Sequence, residues 1–301
     1  MLKSFASLAL IVSSSLAVPL VFASCSSTNE SATIGGDAST PNDASTSTLD
    51  AAPLCALADT PLIVDGVSGV PSRVHVKVTY QGASAVLLVD TGSNVTFLQE
   101  PLGSQDPLPD AGVLSIGCRT LDVIGRPEAA DSPVNGLDSV GTFGTDMFLS
   151  GPTKLDFDAG VIASHLSGSP FTEAASWPNA PFDLDKGLVL PHVSLGGTPV
   201  RLVLDTGSDH TLWLGQQPQT GDVEVDTTDA MGNPVKLFLG TTTLTIGAWQ
   251  GTIPVLRAPS FPYLEQTVTD LGGNVAGLLG LSSLGAAFVI DADSQLVRVN
   301  Q

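Results

Sequence analysis

Apolar and polar residues alternate through residues 73–80, Arg-Val-His-Val-Lys-Val-Thr-Tyr, and after Gln81-Gly82 a nearly unbroken apolar run through residues 83–89 stops at Asp90. Period-two alternation predicts a half-buried strand, a short continuous apolar run predicts a fully buried one, and a Gly-containing dipeptide between them predicts a hairpin. The same design recurs downstream. Residues 190–195 lead into a Gly196-Gly197 turn, and a second apolar strand, residues 199–204, stops at Asp205. Each hairpin thus delivers an aspartate to the point where a buried strand ends and a Gly-containing loop begins.

The two segments are copies. Shifting the chain by 115 positions (205 − 90) aligns Val78 with Val193, Gly82 with Gly197, Leu87 with Leu202 and Thr96 with Thr211 without a gap. A later block, Gly141-Thr-Phe-Gly144, matches Gly277-Leu-Leu-Gly280 at an offset of 136 (280 − 144), and Leu155-Asp-Phe-Asp158 is expected to parallel Phe288-Val-Ile-Asp291. An internal repeat of this length marks a whole lobe. The expected organisation is a leader over residues 1–24, a Ser/Thr-rich tether over 25–58, and two lobes over 59–185 and 186–301, joined near 163–186.

Composition supports an all-β reading. Charged residues make up only 14% of the 301, while 31 Gly and 21 Pro suit many short strands joined by tight turns. The formal charge of −19, from 30 acidic against 11 basic residues, leaves no Lys/Arg surplus for a phosphate backbone, so a nucleic-acid partner is excluded. The acidity reads as a solvated surface.

Residues 1–24 carry one basic residue, Lys3, then apolar stretches, then small residues, the layout of a secretory signal. The ending Val21-Phe-Ala-Ser-Cys25 is similar to a bacterial lipobox, with Phe22 where an aliphatic residue is usual. Lipidation of Cys25 would make the protein a membrane-anchored lipoprotein; ordinary cleavage nearby would release it to the periplasm or medium. An uncleaved span fits least, because Ser13-Ser-Ser15 and Pro19 break the stretch. Residues 26–48 are nearly half Ser and Thr and cannot bury enough surface to order themselves, as a tether or as a leader without a role. With Cys25 assigned to lipid, Cys55 and Cys118 are left as a disulfide pair in an oxidising compartment, or as two free thiols.

Both aspartates head the tetrapeptide Asp-Thr-Gly-Ser, at 90–93 and 205–208. A given tetrapeptide arises by chance at roughly 10⁻⁵ per position, so the doubling points to a two-carboxylate site. Two carboxylates brought to about 3 Å cannot both ionise and share one proton. The ionised member can act as general base on a water while the protonated member donates to the carbonyl oxygen of the bond attacked. No Ser or Cys nucleophile, metal or cofactor is required. In such a site Gly92 and Gly207 let backbone amides approach the carboxylates, Thr91 and Thr206 tie the two loops together, and Ser93 and Ser208 are expected to hydrogen-bond the outer carboxylate oxygens.

The chain resembles aspartic proteases of the pepsin and retropepsin clan, whose pattern is an apolar strand, Asp-Thr-Gly-Ser/Ala, and a later apolar-apolar-Gly segment. That segment is matched loosely by Thr142-Phe143-Gly144 and closely by Leu278-Leu279-Gly280, and the resemblance covers residues 62–299. It implies a bilobal acid-protease fold of two pseudo-twofold-related, retropepsin-like β-barrel lobes, monomeric, with Asp90 and Asp205 as one catalytic dyad and a peptide or protein substrate extended between the lobes. Departures are visible. Tyr80 and Tyr263, the chain's two tyrosines, are not placed for a pepsin-like flap. The second lobe's flap is expected over 225–239, turning at 231–234, and the first lobe's within 105–123. Asp146, two positions after Gly144, reads as structural in this family, and its counterpart is Ser282.

Asp-Thr-Gly-Ser is also good turn chemistry, but two copies in matched lobes, each with its downstream glycine segment, favour the protease fold. His75, His165, His192 and His210 show no metal-ligand spacing, no Gly-x-Ser-x-Gly elbow occurs, and Trp177, Trp213 and Trp249 read as packing residues. The expected function is an aspartic endopeptidase. Its rivals are a peptide- or partner-binding surface lipoprotein that keeps the fold without turnover, and lobes that pair only between chains.

Overall fold

The computed structural model describes residues 57–67, 70–100, 112–117, 119–127, 133–228, 233–272 and 275–301. The leader, Cys25, Cys55, Cys118 and the tether up to residue 56 lie outside them.

The first lobe begins with strands β1 (Thr60–Val67), β2 (Val70–Tyr80), β3 (Ala83–Val89) and β4 (Phe97–Glu100), continues with β5 (Gly112–Ile116) and β6 (Arg119–Pro127), and closes on β7 (Ser139–Phe143). The second lobe repeats the plan with β11 (Leu188–Leu195), β12 (Thr198–Leu204), β13 (Thr211–Leu214), β14 (Val223–Thr228), β15 (Pro234–Ile246), β16 (Trp249–Ala258) and β17 (Val275–Leu279). Between and after them run β8 (Thr153–Asp156), β9 (Val161–Ser164), β10 (Asn179–Asp185), β18 (Ala287–Asp291) and β19 (Leu296–Asn300). Among the described residues a nine-residue helix, α1 (Pro262–Asp270), and three short 3-10 turns interrupt the strands.

Residue type explains the central hairpins. In β2, Val74, Val76 and Val78 are buried while Lys77 is exposed. The β2–β3 turn holds Gln81 and Gly82 at φ +50° and +79°, and the β11–β12 turn holds Gly196 and Gly197 at +56° and +83°. Positive φ at both central residues matches the twist of paired strands. β3 lies between β2, antiparallel, and β7, parallel, and β12 lies likewise between β11 and β17. Strands with a neighbour on each side and buried faces need apolar side chains throughout, which is why both runs lack alternation just before their aspartates.

The lobes join through one antiparallel sheet in the order β1-β9-β8-β18-β19-β10. Across its middle, Leu155 pairs with Phe288 and Thr153 with Ile290, so the register is symmetric about the β8–β18 junction. Asp156 Oδ1 accepts the Ala159 amide at 2.9 Å and Asp291 Oδ1 accepts the Ser294 amide at 3.1 Å, so these aspartates are counterparts at an offset of 135 (291 − 156). The sequence alignment of Leu155 with Phe288 is therefore two residues out of phase: those residues face each other across the axis instead. By the same symmetry β10 is the counterpart of β1, and it lies within the segment read from sequence as the join. One apolar cluster runs from Val76 and Val89 through Leu155, Phe288 and Ile290 to Leu202 and Leu279; a second lies under α1, and a third seats Phe171 and Ala174 on the sheet's outer face.

Candidate active site

Asp90 and Asp205 stand where β3 and β12 end. The Asp90 amide donates to Phe143 O and the Asp205 amide to Leu279 O, each at 3.0 Å, so each aspartate is pinned to the parallel strand beside it. The loops that follow are closed by Ser93 N–H to Asp90 O (3.1 Å) and Ser208 N–H to Asp205 O (3.3 Å). Behind them pass Gly144 and Gly280, where a Cβ would come within 2.3 Å of the Val95 carbonyl and 2.4 Å of the His210 carbonyl. Only glycine permits that approach.

Each backing segment is held by a threonine. Thr96 Oγ1 accepts the Gly144 amide at 3.0 Å and donates to Asp146 Oδ1 at 2.7 Å, and Asp146 Oδ2 accepts the Thr96 amide at 3.0 Å. In the second lobe Thr211 Oγ1 accepts the Gly280 amide at 3.2 Å and bonds the Ser283 hydroxyl at 2.6 Å. Asp146 thus fastens the end of the Asp90 loop, and Ser283 fills its place in the other lobe.

The two loops interlock at the lobe junction. Thr206 Oγ1 accepts the Thr91 amide at 3.0 Å and donates to Val89 O at 2.8 Å; Thr91 Oγ1 accepts the Thr206 amide at 3.1 Å and donates to Leu204 O at 2.8 Å. That lattice brings the carboxyls together. Asp90 is 3% exposed and Asp205 2%. The Gly92 amide donates to Asp90 Oδ1 at 2.8 Å and the Gly207 amide to Asp205 Oδ1 at 2.9 Å. A Cβ on Gly92 would lie 2.8 Å from Asp205 Cγ, and one on Gly207 2.8 Å from Asp90 Cγ, so each glycine faces the opposite carboxyl.

Burial, the charge of Asp90 and a hydrogen bond to its carboxyl push Asp205 well above the ordinary carboxylate range, against the weaker pull of the Gly207 and Ser208 amides. Burial of two like charges this close favours a single proton held between them. Ser93 and Ser208 differ from expectation: their hydroxyls donate to Val95 O at 2.9 Å and His210 O at 2.8 Å. A serine hydroxyl has one proton, and here a carbonyl two residues on takes it.

The other sequence candidates lie elsewhere. His75 is buried in β2, His192 meets Asp183 on the surface at 2.9 Å, His165 stacks on Phe171, and His210 lies 2.8 Å from Asp209 at the edge of the second loop. Among the described residues no three His, Cys, Asp or Glu side chains form a metal-ligand group. Trp213 is buried in the core, with Trp249 and Trp177 packed against apolar clusters. Tyr80 lies on β2 and Tyr263 on α1. The hairpin expected over 225–239 is β14–β15, paired from Val223↔Leu239 to Thr228↔Pro234, with residues 229–232 of its turn outside those described. In the first lobe, β5 and β6 form the hairpin, and the preceding residues 101–111 are likewise outside.

Two contacts carry little sequence signal. Asn94 Nδ2 donates to Lys186 O at 3.2 Å, joining the Asp90 loop to the β10–β11 turn. Arg257 Nη1 meets both carboxylate oxygens of Asp222 at 2.9 Å; its one hint is a lone cation in the apolar end of β16.

Two lobes with matched topology, a shared sheet and paired Asp-Thr-Gly-Ser loops at the junction make this a bilobal all-β fold with one two-carboxylate centre. An aspartic proteinase from Irpex lacteus is similar in structure at a TM-score of 0.44 and 15% identity, over 82% of this chain and 98% of that one. No family model and no curated protein sequence matches the chain.

Proposed function

We propose that this protein is an aspartic-type endopeptidase that hydrolyses peptide bonds with water activated by Asp90 and Asp205. The observation that carries the reading is the hydrogen-bonded, buried pairing of those carboxyls, in which burial and mutual charge favour one proton between them. Ionised Asp90 takes a proton from water as the water oxygen bonds to the scissile carbonyl carbon, and Asp205 gives its proton to the carbonyl oxygen. The resulting gem-diol collapses as Asp90 returns its proton to the amide nitrogen and Asp205 takes one from a diol hydroxyl. The C–N bond breaks, releasing a carboxylic acid and an amine, and the dyad is restored. Positioned proton transfer of this kind contributes about 10²–10⁴-fold in rate.

The same proposal places the enzyme outside the cytoplasm on a lipid anchor at Cys25, on the strength of the leader and the residues around that cysteine. Labelled fatty acid should enter the full chain and not its Cys25→Ala variant.

The test of activity is cleavage of a diverse peptide mixture from acidic to neutral pH, beside Asp90→Asn and Asp205→Asn. Cleavage by the parent chain and none by either folded variant is the expected result. Cleavage surviving in one variant refutes a shared dyad, and no cleavage by folded parent protein at any pH refutes the enzyme.

A further inference from the structure

Arg257 is the largest fully buried side chain among the described residues, and it pairs with an acid whose side chain is almost enclosed: side-chain exposures are 1% for Arg257 and 6% for Asp222. Besides the two 2.9 Å contacts to Asp222, Arg257 Nη2 donates to Thr241 O at 2.8 Å, and Asp222 Oδ2 accepts the Gln219 amide at 2.7 Å. The backbone is shaped around the pair. A Cβ on Gly240 would fall 1.9 Å from Asp222 Oδ1 and 2.5 Å from Arg257 Nη1.

The location gives the pair its meaning. β14 ends its pairing with β15 at Val223↔Leu239, and β15 begins its pairing with β16 at Phe238↔Arg257, so Arg257 sits where the β14–β15 hairpin leaves the body of the lobe. On its other side β16 runs parallel to β13 with Arg257 beside Trp213, two residues after the Thr211 that holds Gly280 behind the Asp205 loop. The first lobe has no arginine at the matching position: parallel pairing of β4 and β6 puts Gly125 beside Leu98, the counterpart of Trp213.

We infer that Arg257 and Asp222 are positioning residues that fix the root of the β14–β15 hairpin to β15 and β16, and so, through the pairing of β16 with β13, hold that hairpin as a rigid wall beside the Asp205 loop. This rests on the proposed peptidase reading for its consequence and on geometry alone for the bracing. A buried ion pair is a poor way to gain stability, since apolar replacement of both partners is often neutral or stabilising. What it supplies is direction. The planar guanidinium binds the flap root, β15 and β16 at fixed angles, which an apolar contact would not impose.

The test compares the full chain with the double variant Asp222→Leu/Arg257→Met and with Asp222→Asn/Arg257→Gln as a milder pair, by amide hydrogen exchange and by peptide cleavage. The expected result in whichever variant folds is at least tenfold faster exchange across residues 223–239, with β17 and β18 unchanged, and a KM raised about tenfold at a kcat within twofold. Unchanged exchange in 223–239 of a folded variant overturns the bracing. Exchange is read whether or not the protein cleaves peptides, so a failure of the peptidase reading does not alter the outcome for the bracing. Faster exchange with unaltered KM in an active enzyme overturns the positioning role, and failure of both variants to fold while Gly240→Ala, which crowds the same ions, folds with native exchange does so too.

Discussion

Thr91 and Thr206 each accept the other's backbone amide and each donate across the lobe junction, to Leu204 O and Val89 O respectively. Both hydroxyls are fully enclosed, so no water can replace a lost partner. Thr206→Ala strands the Thr91 amide and the Val89 carbonyl, at about 1–3 kcal/mol for each buried group left unpaired. Its melting temperature is expected to drop by roughly 5–10 °C, and Thr206→Ser should recover most of that loss. Equal melting of the alanine and serine variants would show that the hydroxyl lattice contributes nothing.

A raised Asp205 also sets the pH dependence of folding. The native state keeps a proton that the unfolded chain releases above the ordinary carboxylate value of 3.8. In the window from that value up to the raised native one, the native state binds more protons, so this group's contribution falls as pH rises. Asp205→Asn has no such proton to lose. Denaturant melts across that window should therefore show the parent losing stability relative to Asp205→Asn with increasing pH; parallel curves would contradict it.

Gly207 leaves no room for a side chain beside Asp90. Gly207→Ala must displace one carboxyl, and displaced carboxyls no longer share a proton in the same geometry. A loss of roughly 10²-fold in kcat is expected, as for a reacting group misplaced by about 1 Å, with circular dichroism unchanged. Full activity in Gly207→Ala would mean the carboxyl can move without consequence.

Asp146 has a different standing. It is exposed, faces Thr96 and takes no part in the carboxyl pair. Asp146→Ala is expected to cost about 1 kcal/mol and to leave cleavage of peptides within a fewfold of the parent. Abolished turnover in folded Asp146→Ala protein would give that carboxyl a role in the chemistry.

The fold and the site were legible in unequal parts. The β2–β3 and β11–β12 hairpins could be read because alternation, Gly turns and the stop at an aspartate are all local signals. The doubled motif then implied the meeting of Asp90 and Asp205. The shared sheet was harder, since β8 and β9 are four residues each and short runs carry no period; matching Asp158 to Asp291 shifted that alignment by two. Ser93 and Ser208 were misread because each hydroxyl has one proton and the tight loop brings a carbonyl two residues on within its reach. Asp222 and Arg257 lie 35 residues apart in sequence (257 − 222), with nothing local to join them.

The sheet that unites the lobes draws three strands from each repeat within a single polypeptide. Assembly of the two carboxyls is consequently a unimolecular event with no concentration term, unlike a pair shared between separate chains. Dilution cannot part them. A covalent join also releases the halves from having to be identical, so one can carry Arg257 where the other has Gly125, and Ser283 where the other uses Asp146. An extended ligand has two distinguishable ends, and a scaffold whose halves vary independently can treat each end differently while keeping one symmetric centre.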